Sequence, residues 1–239
     1  MEQFKIRQGG FKEIRKAMLI KAIPISLLAV FGGLAISYFN TSGQQSDLSV
    51  FPFVIPAALG ALAFGLYRGV TRQKEIFDSY RLTIDNNNIT REQHNTPTIT
   101  ISYADLSEII KNPNGSFTIK GNSSVNVIGV PSQIDDYDKL EKSLTEIRHI
   151  LIKSSEPFLQ KFQGLLSILT IGLMAAVYIS KDKIIVGVSG TVLLGFFGYS
   201  FFEIQRSKNV DSKTKKGTWW LILVTASIVA VMYYKLTGV

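Results

Sequence analysis

Five long apolar blocks divide the chain, at about 18–39, 50–69, 162–180, 184–202 and 219–234. Each approaches the roughly 20 residues that carry a helix across a hydrocarbon core about 30 Å thick. A helix of that length in a water-soluble protein keeps a polar face, and these blocks keep almost none. The pattern predicts about five transmembrane helices. Only Lys181, Asp182 and Lys183 separate the third block from the fourth, which reads as a tight hairpin. Basic residues precede the first block, as they precede a secretory leader. Its apolar stretch is longer than the usual h-region of about 7 to 15 residues, however, and a second span follows, so it reads as a retained helix.

Between the second and third blocks the period changes. Tyr80, Leu82 and Ile84 alternate with Arg81, Thr83 and Asp85, the turn DNNN follows, and Ile89 opens the next segment. Farther on, Ile99, Ile101 and Tyr103 alternate with Thr98, Thr100 and Ser102. Phe117 and Ile119 follow the turn NPNG, and GNSS leads into Val125 and Val127. A period of two with one apolar face predicts antiparallel strands buried on one side. After VPS the period lengthens: Tyr137, Leu140, Leu144, Ile147 and Leu151 recur at helical spacing and predict a helix over 134–152. Asp135, Asp136 and Asp138 stand near its start, where a helix dipole favours negative charge.

These stretches, YRLTIDNNNIT, ITISYADLSEI, FTIKG and VIGVPSQIDDYDKLEKSL, follow one another in an order that resembles the bacterial pleckstrin-homology-like domains of multi-span membrane proteins. The resemblance covers about a third of the chain. It implies an antiparallel, partly open barrel closed by a C-terminal helix, attachment to membrane helices, and a bacterial source. It implies no agreed activity. Tyr103 stands where many relatives carry Trp, and either aromatic fills a core. The fold class expected is thus an α-helical integral membrane protein of about five transmembrane helices with an inserted α+β, pleckstrin-homology-like domain. The expected organisation is a basic leader and first helix pair over 1–72, the soluble domain over 73–155, and three further helices over 156–239.

Charge orients this arrangement. The leader carries Lys5, Arg7, Lys12, Arg15 and Lys16, whereas the loop after the first block carries no Lys or Arg. The loop at 203–217 carries Arg206, Lys208, Lys213, Lys215 and Lys216. Basic residues collect on the cytoplasmic side, which places the leader, the inserted domain and the 203–217 loop inside and the C-terminus outside a bacterial inner membrane. The net charge of +8 is uneven: residues 73–155 hold nine Lys and Arg against eleven Asp and Glu, a net −2, leaving +10 beside the spans. That distribution excludes nucleic acid as the partner and points to anionic headgroups, with Lys12, Arg15, Lys16, Arg206, Lys208, Lys213, Lys215 and Lys216 as the candidate contacts.

Candidate chemistry changes the picture little. The chain has no cysteine and only two histidines, His94 and His149, at no metal-ligand spacing. The DNNN turn, with Arg81 and Arg91 far apart in sequence, supplies no basic cluster for inositol phosphates. No enzyme and no cofactor are expected. Small residues do recur every fourth position: Ala29, Gly33 and Ser37; Ala57, Ala61, Gly65 and Gly69; Gly187, Thr191 and Gly195. Such ladders allow close helix approach, within one bundle or between copies in a homo-oligomer. The function expected is a non-enzymatic, membrane-anchored interaction or scaffold protein whose soluble domain docks a protein partner. The alternative is a small channel or transporter-like protein regulated by that domain.

Overall fold

A computed structural model of the chain describes residues 1–41, 51–154 and 162–238. Residues 42–49 of the expected loop at 40–49, and the expected boundary at 155/156, lie outside the described residues. The chain divides into two units, each gathered from three separate segments: Met1–Lys16, Val70–Lys161 and Ile204–Gly217 in one, Ala17–Gly69, Phe162–Glu203 and Thr218–Val239 in the other.

The helices are α1 (Gly10–Thr41), α2 (Phe51–Asp78), α3 (Tyr137–Ile147), α4 (Gln163–Ile179), α5 (Lys183–Arg206), α6 (Ser212–Gly217) and α7 (Trp220–Thr237). Four helical segments are long and apolar enough to cross a membrane: Gly10–Tyr38, Pro52–Asp78, Lys183–Arg206 and Ser212–Thr237. The remaining expected span forms α4, of 17 residues. At about 1.5 Å per residue it measures roughly 25 Å, a little short of a hydrocarbon core of about 30 Å. Pro24 and Pro56 sit inside α1 and α2 without ending either helix.

The helical unit packs through few residues. Val177, Leu193, Phe197 and Ile228 form its buried cluster, with Leu173, Met174 and Met232 against it. Lys235 lies beside the end of α4: its ammonium donates to the carbonyls of Val177, Tyr178 and Ser180 at 3.0, 2.6 and 2.8 Å. Those are carbonyls that a helix terminus leaves without intrahelical donors. The Tyr178 and Ser227 hydroxyls meet at 2.8 Å. Most large apolar side chains of these helices are exposed, Phe53, Phe64, Tyr67, Val188 and Trp220 among them. Such a surface suits hydrocarbon rather than water.

The other unit is a pair of four-stranded sheets. Strands β1 (Glu2–Lys5), β2 (Arg81–Ile84), β3 (Asn88–Glu92) and β4 (Ile99–Ser102) pair antiparallel in that order. A 3₁₀ turn at Tyr103–Asp105, where the Ser102 hydroxyl accepts from the Asp105 N–H, leads into the second sheet. There β5 (Leu106–Lys111), β6 (Phe117–Gly121) and β7 (Val127–Val130) are antiparallel, and β8 (Ile150–Ile152) joins β5 in parallel to give the order β7-β6-β5-β8. Inward positions of both sheets, Leu82, Ile89, Ile99, Ile109, Phe117, Ile119 and Ile128, make one core that Leu140 and Leu144 of α3 close. Tyr137 stacks on Phe117 at 5.5 Å, and Lys111 bridges from β5 to Glu141 at 2.6 Å.

Three local expectations change here. The strand after GNSS begins at Val127, and its buried residues are Ile128 and Val130 rather than Val125 and Val127. A turn absorbs residues 122–126, with the Gly121 N–H donating to the Asn126 carbonyl, and a one-residue shift exchanges the faces of a strand. The helix expected over 134–152 stops at Ile147, and the β-branched pair Ile150 and Ile152 joins the free edge of β5, leaving Leu151 on a strand. The leader contributes β1 to a sheet, with Phe4 in the core, so the sheet unit extends beyond 73–155 at both ends of the chain.

Candidate functional site

Segment Ile204–Gly217, met in the sequence as a basic loop, is bound to the sheets. Its anchor is Arg91 on β3. Inward positions of β3 call for apolar side chains, as at Ile89, yet Arg91 is 1% exposed. A buried guanidinium must find partners. Its Nη1 donates to Gln93 Oε1 at 2.9 Å and Thr96 Oγ1 at 2.8 Å, and its Nη2 to the carbonyls of Pro97 at 3.4 Å and Lys208 at 3.1 Å. Burial pulls its pKa below the ordinary arginine value, with a smaller opposing effect from the Tyr80 phenol. Tyr80 is buried as well, which pushes its phenol pKa up, and the hydroxyl donates to the Gly129 carbonyl at 2.9 Å.

From this anchor the bonds spread along the loop. Lys208 Nζ donates to Asn126 Oδ1 at 2.8 Å, Asn209 Nδ2 to the Val127 carbonyl at 2.9 Å, and the Ser212 N–H to the Asn95 carbonyl at 3.0 Å. Arg206 reaches Ser124 Oγ at 3.3 Å. A second anchor joins the loop to the end of α2, where Arg72 pairs with Asp211 and donates to Thr214 Oγ1 at 2.8 Å. Asp211, 5% exposed, also accepts from the N–H groups of Lys213 and Thr214 and caps α6. Burial opposes ionisation of Asp211, but the Thr214 hydroxyl and then Arg72 outweigh it and hold the carboxyl below the usual aspartate range. Gln93 Nε2 ties the Arg91 group to the same end of α2 through the Ile76 carbonyl at 3.0 Å.

The outer edges of the sheets differ. β1 is covered near its end by the 133–135 segment: the Arg7 N–H donates to Gln133 and the Asp135 N–H to Lys5. The clasping loop and Tyr80 take the carbonyls of Val127 and Gly129 on β7. Among the described residues β8 pairs with β5 alone and forms an edge of its sheet, with Leu151 47% and Ile152 83% exposed. An aliphatic edge strand of this kind is a template for another strand or an apolar surface.

No protein-family model, curated protein or solved structure matches the chain.

The residues singled out in the sequence fall as follows. Lys12, Arg15, Lys16, Lys213 and Lys216 are exposed, Arg206 is exposed and bonded to Ser124, and Lys215 is half-buried. Lys208 is half-buried and bonded to Asn126 in the turn between β6 and β7. Of the ladders, Ala57, Ala61, Gly65 and Gly69 are exposed on α2, and a Cβ added at Gly65 or Gly69 meets nothing within 4 Å. A Cβ added at Gly187 would meet Leu236 at 3.8 Å, an ordinary contact, while Thr191 and Gly195 are exposed. The close approaches occur one helical face away, at Gly190 against Met232 and at Gly32, whose added Cβ meets Ile171 at 3.1 Å. Arg91, Asp211 and β8 escaped the sequence reading. A charged residue at an inward strand position was the available signal for Arg91.

Proposed function

We propose that the chain is a non-enzymatic, membrane-anchored interaction protein of the bacterial inner membrane, with a pleckstrin-homology-like cytoplasmic domain that docks a protein partner. The observation that carries the docking is β8, an open sheet edge presenting two aliphatic side chains on a domain that covers β1 and β7 with its own chain. Strand addition at such an edge supplies backbone hydrogen bonds, and alternate side chains supply selectivity.

The membrane arrangement draws on two observations. Segments Met1–Lys16, Val70–Lys161 and Ile204–Gly217 belong to one unit, which favours one side of the membrane for the leader, the domain and the basic loop. Two crossings by α4 and α5 satisfy that arrangement. The Lys235 cap supports a crossing by α4, because it sets the ends of α4 and α7 at one depth. That depth is the outside, where α7 ends.

The test is photo-crosslinking in cells with the full-length chain, a photoreactive residue replacing Ile152 or, as a control, Asn122. One defined protein adduct from position 152, lost when Leu151→Asp is introduced, is the expected result. Crosslinks from position 152 confined to the chain itself overturn the docking.

A further inference from the structure

We propose that the groove between α5 and α7 binds one acyl chain of an anionic phospholipid, drawn from a single leaflet. The groove is open, has a volume of about 640 Å³, and is lined by Phe197, Gly198, Phe201, Leu221, Ala226 and Tyr233 among others. That volume lies within the range of roughly 300–1,000 Å³ typical of small-molecule sites. Gly198 leaves it room, since an added Cβ there meets nothing within 4 Å. The one hydroxyl of its middle stretch, on Thr225, donates to the Leu221 carbonyl at 2.7 Å and so asks nothing of a ligand.

Length selects the occupant. Along α7 the lining runs from Leu221 to Tyr233, twelve steps or about 18 Å of helix. One leaflet of a hydrocarbon core about 30 Å thick accounts for roughly 15 Å. An acyl chain ends at that depth. A spanning helix of a second copy needs a groove running through both leaflets. At the N-terminal end of α7, Trp219 and Trp220 are exposed, and Trp219 meets Phe201 of the groove edge-on at 5.8 Å. Tryptophans in such positions mark the headgroup layer. The headgroup class follows from the order of the chain: Lys213, Lys215 and Lys216 immediately precede this tryptophan pair, and each lysine near a membrane surface favours anionic lipid.

The proposal rests on the membrane placement given above, and its test separates the two. Trp219 and Trp220 are the chain's only tryptophans, so tryptophan fluorescence reports on this end of α7, where Trp219 meets Phe201 of the groove. The full-length protein is reconstituted in phosphatidylcholine vesicles containing a minor fraction of acyl-brominated phosphatidylglycerol or, separately, acyl-brominated phosphatidylcholine. Expected is stronger quenching by the glycerol lipid, equivalent to roughly fivefold enrichment at the site. Gly198→Phe and Ala226→Phe, each checked for an unchanged melting profile, should reduce that quenching to the choline-lipid level. Equal quenching by both lipids, or quenching untouched by both folded variants, overturns the proposal. So does quenching that vanishes as crowding brings a second copy onto the groove, detected by crosslinks between copies from α7. Alkaline-carbonate washing of the same vesicles reads the membrane placement: a chain that washes off defeats that placement, and a retained chain without selective quenching defeats only the groove.

Discussion

The two units bury different things. In the sheet unit Leu82, Ile89, Ile109, Phe117, Ile119 and Ile128 are all sealed from solvent, and even the charged Arg91 is enclosed among hydrogen-bond acceptors. In the helical unit a short cluster is buried, and aromatic and aliphatic side chains cover the outside. Water penalises exposed apolar area by about 25 cal/mol per Å², whereas lipid tails are as apolar as leucine and impose no such penalty. The difference teaches which solvent each unit is built for. It also explains why one unit is held by a dense core and directed polar bonds and the other by a few close helix approaches.

The same deletion made in both units is the strongest test of that contrast. Phe117→Ala removes a fully buried ring from the sheet core and should cost about 3–5 kcal/mol, read as denaturant sensitivity and protease cleavage within 80–147. Phe64→Ala, on an exposed position of α2, should change stability in lipid by less than about 0.5 kcal/mol. Equal losses would break the comparison.

Next in size is the clasp. Arg91→Met or Asp211→Asn leaves buried partners unmatched and should cost about 2–4 kcal/mol, with amide exchange rising first at 206–214. Exchange confined to 80–92 after Asp211→Asn would contradict an anchoring role for the pair. In the helical unit, Gly190→Leu should cost about 1–3 kcal/mol, because a Cβ there already falls 2.7 Å from Met232 Cε and 2.8 Å from its Cγ. Gly195→Leu, in the ladder visible in the sequence, should be close to neutral within one chain, since its added Cβ meets nothing within 4 Å. Thermal denaturation in detergent compares the two.

The effect of pH on the clasp is smaller. Asp211 has a lowered folded-state pKa, so its contribution is fully present above the ordinary aspartate value of 3.8 and is lost as pH falls through the lower folded value. Amide protection at 206–214 should therefore be flat from neutral pH down to that value and weaken below it. Asp211→Asn should remove this acid step. The smallest effect belongs to the sheet edge: Ile152→Asp, at an exposed position, should leave unfolding within about 0.5 kcal/mol of the parent.

Much of this was legible one element at a time. Continuous apolar runs without a polar face announced four helices long and apolar enough to cross a membrane, and Leu82, Ile89, Ile101, Phe117, Leu140 and Leu144 stood where a period of two or of helical spacing put them. Val125 and Val127 misled because the turn at 122–126 takes in one residue more than the alternation suggests. Leu151 misled because its spacing continues the stripe of α3, although the β-branched residues on either side favour a strand. The ladders gave spacing without azimuth: Gly187 and Gly190 share a helix, and only the neighbouring Met232 decides which approaches closely.

By itself the sequence determined most of the kinds of element and which helices are long and apolar enough to cross a membrane, because hydrophobic period and run length act within a single segment. Tertiary structure alone decided what joined over distance. Arg72 meets Asp211, Arg91 meets the Lys208 carbonyl, and the leader pairs with β2 across the whole of α1 and α2. A charge read along the chain has a sign and no partner. Lys208 carries the same formal charge as Lys213, yet one is held by Asn126 and the other is exposed, since burial beside a specific acceptor arises only when separated segments fold together.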